Sequence, residues 1–128
     1  MRLGRTALWM LLHTHAAELR FHRRIDKPGF NDYRRMLCTN DTKLLLSVPG
    51  KRVLNYRPPT SSLKYDPASK NLVVAWDIFL QDFRMINCND VEVVSVIKTS
   101  PDPQPFWKYF YERLVHMSAT QKARFMNT

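Results

Sequence analysis

Hydrophobic positions are densest between residues 71 and 97, where β-branched and aromatic residues run almost without interruption. Polar breaks near Phe79–Gln81 and at Asn87–Asp90 divide this stretch into shorter apolar runs. Short runs of this composition, bounded by Asn and Asp, are typical of β-strands. The pattern therefore predicts three strands, at about residues 71–78, 82–86 and 91–97.

Residues 43–57 predict a further pair of strands joined by a tight turn. Leu44–Val48 is an apolar run, and Lys51–Tyr56 is a second run that carries positive charge. Between them, Pro49 and Gly50 fit the two central positions of a type II turn. Five strands between residues 43 and 97 suit a small antiparallel barrel or curled sheet.

One part of this β region allows a second interpretation. Phe79, Phe83 and Ile86 have a spacing that could equally form one face of a helix. In that case the β region would be an α+β sandwich rather than a barrel or curled sheet.

A helix is predicted on the N-terminal side of the β region, over residues 4–24. Leu8, Leu12 and Leu19 recur at helical spacing, and neither Pro nor Gly falls between Arg5 and Lys27. A connector is expected over residues 30–42, before the first predicted strand.

Two helices are predicted on the C-terminal side, after a stiff spacer that contains Pro101, Pro103 and Pro105. Phe106 and Phe110 are four residues apart, and so are Trp107 and Tyr111, which gives an amphipathic helix with a broad aromatic face. A capping box at residues 118–121 begins a second, shorter helix. The aromatic face predicts either core packing or a protein interface formed by Phe106, Trp107, Phe110 and Tyr111.

These elements predict an α+β protein of 128 residues, one domain with extensions. Residues 1–42 are interpreted as a basic N-terminal helix and connector arm. Residues 43–99 form a small β domain, and residues 100–128 hold the Pro spacer and the C-terminal helices.

The net charge of +9 favours an anionic partner. Arginine and lysine side chains outside the acidic stretch near residues 76–100 are the predicted contacts with RNA phosphates. The predicted RNA-binding residues are Arg2, Arg5, Arg20, Arg23, Arg24, Arg34, Arg35, Lys51, Arg52 and Arg57.

Motifs that would indicate an enzyme are missing from the sequence. Three glycines are too few for a phosphate-binding loop, and no nucleophile, zinc-protease or Cys-x-x-Cys motif occurs. Cys38 and Cys88 fit no metal-binding spacing. They are expected to be reduced, half-buried thiols, with a single disulfide as the alternative. We therefore expect no catalytic site, no metal, no cofactor and no small-molecule substrate.

The Arg-rich start of the chain, with no acidic residue before Glu18, resembles a mitochondrial import signal. Together with the small β region and the basic extensions, it gives the chain the character of a divergent mitochondrial ribosomal protein, which it resembles along its whole length. The resemblance implies a structural subunit in the mitochondrial matrix. Its partners would be ribosomal RNA and neighbouring ribosomal proteins.

An accessory subunit of a mitochondrial respiratory or ATP synthase complex is the alternative. Residues 7–12 would then lie at a membrane surface, where Trp9 and the nearby arginines suit the lipid headgroups.

Overall fold

A five-stranded antiparallel sheet lies at the centre of the computed structural model, which describes residues 2–22, 33–59 and 66–115. The strands are β1 (His15–His22), β2 (Tyr33–Thr39), β3 (Leu72–Asp77), β4 (Asp82–Asn87) and β5 (Val91–Lys98). The helices are α1 (Arg5–Leu11), α2 (Thr42–Leu45), α3 (Val48–Val53) and α4 (Gln104–Val115). Single 3-10 turns occupy Pro67–Lys70 and Cys88–Asp90.

The sheet is open and curled, and it lies between an N-terminal and a C-terminal helix. This arrangement confirms the predicted α+β class. The second C-terminal helix, expected from residue 118 onward, lies outside the described residues. Within the described part of the chain, no helix combines the length and the apolar character needed to cross a membrane.

The spatial order of the strands is β4-β3-β2-β1-β5, so β1 is the middle strand of the β2-β1-β5 half. Glu18 of β1 is paired with Leu37 on one side and with Ser95 on the other. β2 joins β3 through only two residue pairs, Cys38 with Asp77 and Thr39 with Trp76. The sheet is therefore a three-stranded unit and a hairpin that share a short seam.

The three strands predicted between residues 71 and 97 are confirmed, and the helical alternative over residues 78–86 is wrong. β3 and β4 form a hairpin in which Val73 is paired with Ile86 and Ala75 with Arg84. Ile86 is buried on the same sheet face as Val73. Pairing with β3 satisfies the backbone hydrogen bonds of residues 82–87 in a strand. The spacing of apolar residues in the sequence does not reveal this pairing.

The single helix predicted over residues 4–24 is wrong beyond Leu11. Residues 15–22 are strand β1, and residues 33–39 of the predicted connector are strand β2. β1 lies between two neighbours and is covered on both faces, so Ala16, Ala17 and Leu19 are all buried. Residues 17–22 do alternate between apolar and polar side chains, which is a strand pattern. The helical spacing of Leu8, Leu12 and Leu19 was given more weight than this alternation, and the prediction failed for that reason.

The predicted hairpin at residues 43–57 is also wrong, because this segment forms α2 and α3. The Asp41 carboxylate caps α2 by accepting hydrogen bonds from the backbone N–H groups of Lys43 and Leu44. The Ser47 hydroxyl caps α3 by accepting from the Gly50 N–H at 3.1 Å. Pro49 lies in the first turn of α3, where its missing N–H costs no helical hydrogen bond.

Both faces of the sheet carry a hydrophobic core. On one face α1 packs Leu8 and Leu12 against a cluster that includes Leu19, Val73 and Ile86. The opposite face is covered by α2, α3 and α4, and its largest buried side chains are Trp76, Phe106, Phe110, Leu45 and Leu54. We call the hydrophobic core on this opposite face the second core.

Candidate anion-binding and protein-contact surfaces

Carboxylates in the described part of the chain are mostly engaged within the fold. Glu18 pairs with Arg113, Asp90 with Arg2, and Asp82 lies 3.5 Å from Arg84. Other carboxylates accept backbone N–H groups at the starts of turns and short helices, namely Asp41, Asp66, Asp77 and Asp102. The excess positive charge is therefore expressed at the surface rather than neutralised by neighbouring acids.

Arg20 and Arg35 are directly opposite each other on β1 and β2. They share a sheet face with Glu18 and Leu37, since residues two apart along a strand point the same way. Like charges in this position repel each other, and Glu92 on β5, paired with Arg20, offsets only one of them. Arg35 is exposed, so this end of the sheet can accept an anion such as a phosphate group.

We define the α2–α3 corner as residues 42–57. Its cations Lys43, Lys51, Arg52 and Arg57 are all exposed, and the corner contains no acidic residue. Among residues 2–22, 33–59 and 66–115, none of these side chains has an ion-pair partner. The corner therefore carries four exposed positive charges and no negative charge.

Arg2 and Arg5 have structural partners instead. Arg2 pairs with the carboxylate of Asp90, and its backbone forms a β-bridge with Glu92 on the outer edge of β5. Arg5 donates from Nε to the backbone carbonyl of Leu72 at 2.9 Å. Both arginines fix the start of the chain against the sheet, so an RNA phosphate would have to compete with these contacts.

The structure does not describe the side chains of three predicted RNA-binding residues. Arg23 and Arg24 lie outside the described residues. Arg34 belongs to β2, where it is paired with Phe21, but its side chain is not among those described.

The aromatic helix α4 divides its residues between the core and the surface. Phe106 and Phe110 have no exposed surface and pack in the second core, as the core interpretation of the aromatic face predicted. Trp107 is half-buried, and Tyr111 is 51% exposed. A protein partner of the folded chain would therefore contact Trp107 and Tyr111 and would not reach Phe106 or Phe110.

A buried carboxylate ties α4 to the sheet. Glu18 Oε1 accepts from Arg113 Nη2 at 3.1 Å, while Oε2 accepts from Tyr109 at 3.2 Å and Ser95 at 3.4 Å. Burial, followed by the nearby Glu18 carboxylate, raises the pKa of the Tyr109 phenol. Sequence reasoning missed Glu18, whose partner Arg113 is 95 residues away. The one hint in the sequence was that Glu18 is the only acidic residue among residues 1–25, which are otherwise basic.

The reactive side chains do not assemble a recognisable centre in the part of the chain that is described. Cys38 and Cys88 are both free thiols, and burial raises the pKa of each. No group of three or more His, Cys, Asp or Glu side chains there could hold a metal ion. Asp77 and Asp82 are paired across β3 and β4, but each has its own backbone N–H partner.

No protein-family model, curated protein or solved structure matches the chain. The function is therefore inferred from the surfaces of the chain itself. These surfaces consist of a cationic sheet end, a cationic corner and the outer side of an aromatic helix.

Proposed function

We propose that the protein is a structural subunit of a mitochondrial ribosome, held in the particle by ribosomal RNA and by neighbouring proteins. The observation that carries this proposal is the separation of charge. Most acidic side chains in the described residues have a hydrogen-bond or ion-pair partner within the chain, whereas Arg35 and the cations of the α2–α3 corner are exposed without an ion-pair partner there. Such a surface suits a polyanion.

The proposed mechanism is positioning rather than chemistry. The guanidinium groups of Arg35 and Arg57 pair with RNA phosphates, and each pair releases condensed counterions into solution. The two-faced core keeps these groups on a fixed framework. Trp107 and Tyr111 on the outer side of α4 supply aromatic surface of the kind that is enriched at protein interfaces.

RNA binding is expected to weaken steeply with salt. The contribution of two predicted phosphate contacts to this salt dependence can be measured with a double variant. In Arg35→Gln/Arg57→Gln, the slope of log K against log salt is expected to fall by about 1.4 to 1.8, because two phosphate contacts are lost. Filter-binding or fluorescence titrations of the purified chain with ribosomal RNA fragments at several salt concentrations measure this slope.

Lys98→Gln/Lys108→Gln is the matched control, since it removes the same charge from exposed lysines outside the predicted set. The control is expected to leave the slope close to that of the unmodified chain. RNA binding that is equally tight at low and high salt would contradict the proposal, as would equal losses of slope in both double variants.

An accessory subunit of a mitochondrial respiratory or ATP synthase complex is a second candidate, and one observation favours it. Leu8 of α1 and Leu12 just after it are buried, whereas Trp9 is 44% exposed and Met10 is 62% exposed. An exposed indole beside an aliphatic side chain suits the headgroup region of a membrane. This candidate predicts that the native particle is unaffected by RNase.

A further inference from the structure

Two aliphatic side chains are exposed at the tip of the α2–α3 corner. Leu46 is 46% exposed and Val48 is 69% exposed, which makes Val48 one of the most exposed large apolar residues described. Single exposed aliphatics are ordinary on protein surfaces. Here, however, they lie within the segment that carries Lys43, Lys51 and Arg52 and no acid.

The local fold holds this tip in a fixed shape. Ser47, between the two aliphatics, accepts from the Gly50 N–H and donates to the Leu44 carbonyl at 2.5 Å. On the inner side, Leu44, Leu45 and Leu54 are buried in the second core. Leu46 and Val48 therefore face solvent because their neighbours anchor the corner, and not because the segment lacks structure.

We propose that the α2–α3 corner binds the surface of an anionic lipid bilayer. Leu46 and Val48 enter the boundary between headgroups and acyl chains, while Lys43, Lys51 and Arg52 meet lipid phosphates. RNA phosphates would pair with the same cations but would leave both aliphatic side chains in water. The aliphatic pair thus favours a bilayer over RNA at this corner and goes beyond the proposed ribosomal role.

Flotation of the full chain with lipid vesicles tests this inference. The chain is expected to float with vesicles made of equal parts phosphatidylcholine and phosphatidylglycerol, and to remain unbound with phosphatidylcholine alone. Added salt is expected to weaken the binding, because surface charges are screened within a Debye length. Leu46→Ser/Val48→Ser is expected to reduce vesicle partitioning by about tenfold, since two partly exposed aliphatics no longer enter the bilayer.

Val94→Ser/Val96→Ser is the matched control, because both valines are 43% exposed on β5, away from the corner. It is expected to partition like the unmodified chain. Circular dichroism melting checks that each variant is folded, and Val48→Ser alone replaces the double variant if Leu46→Ser unfolds the chain.

Two results would overturn the inference. One is unchanged partitioning of Leu46→Ser/Val48→Ser, or of the folded Val48→Ser, in anionic vesicles. The other is an equal loss in the Val94→Ser/Val96→Ser control. After either result, Lys51→Gln/Arg52→Gln shows what the corner binds instead. Equal weakening of RNA binding and vesicle binding in this variant would make the corner a general polyanion site that RNA occupies.

Discussion

Asp41→Ala is expected to lower the free energy of unfolding by about 4 kcal/mol, because it removes a helix cap and a buried acceptor together. Asp41 is 2% exposed. Its Oδ1 accepts from the N–H groups of Lys43 at 3.1 Å and Leu44 at 3.4 Å. Its Oδ2 accepts from the hydroxyls of Thr99 and Ser100, both at 2.5 Å. The substitution loosens α2 and also the segment that follows β5.

Urea unfolding followed by circular dichroism measures this loss, and Asp66→Ala is the control. Asp66 also caps a short helical turn, by accepting from the Ala68 N–H at 3.0 Å, but it is exposed. Its substitution is expected to cost no more than about 1 kcal/mol. Similar losses for the two variants would mean that the buried hydroxyl contacts of Asp41 contribute nothing beyond the cap.

Gly50→Ala is expected to destabilise the chain by about 3 kcal/mol or more, because the added methyl group has no space. A Cβ at this position would lie 2.1 Å from the backbone oxygen of Leu44 and 2.7 Å from that of Leu45. These are main-chain atoms of α2 and its end, so no side-chain rotation relieves the overlap. α3 would have to move away from α2.

Gly4→Ala is the matched control for Gly50→Ala. A Cβ at Gly4 meets nothing within 4 Å, and the residue lies just before α1. The control is expected to change the free energy of unfolding by less than about 1 kcal/mol in either direction. If thermal and urea unfolding showed equal effects at the two glycines, the close approach of α3 to α2 would be contradicted.

Gly50 also shows why the corner was predicted incorrectly. The sequence Pro49–Gly50 is typical of a type II turn, and the flanking apolar runs have the length of strands. In the structure the glycine is needed for close helix contact, and the proline lies in a first helical turn. Both roles depend on how α2 and α3 meet, which local sequence does not record.

The three correctly predicted strands differ in residue composition from β1, which was mistaken for a helix. β3, β4 and β5 are rich in β-branched or aromatic residues and are separated by polar turns, so local pattern was sufficient. β1 contains no β-branched residue, and most of its side chains are buried. Its strand conformation is stabilised by pairing with β2, the next strand along the chain, and with β5, which is far away in sequence.

The candidate surfaces were predicted in composition but not in arrangement. The excess of cations, and the lack of acidic residues near them, could be read directly from the sequence, as at Lys51, Arg52 and Arg57. The opposition of Arg20 and Arg35 needs the β1–β2 register, which a helix prediction hides. The ion pair between the buried Glu18 and the exposed Arg113 joins distant parts of the chain and has no sequence motif.

Sedimentation of a native mitochondrial lysate on a sucrose gradient, with and without RNase, tests the proposed ribosomal role most directly. The proposal predicts that the chain migrates with ribosomal subunits and moves to light fractions after RNase treatment. Migration in a large particle that RNase does not change would contradict it and would favour a respiratory or ATP synthase complex.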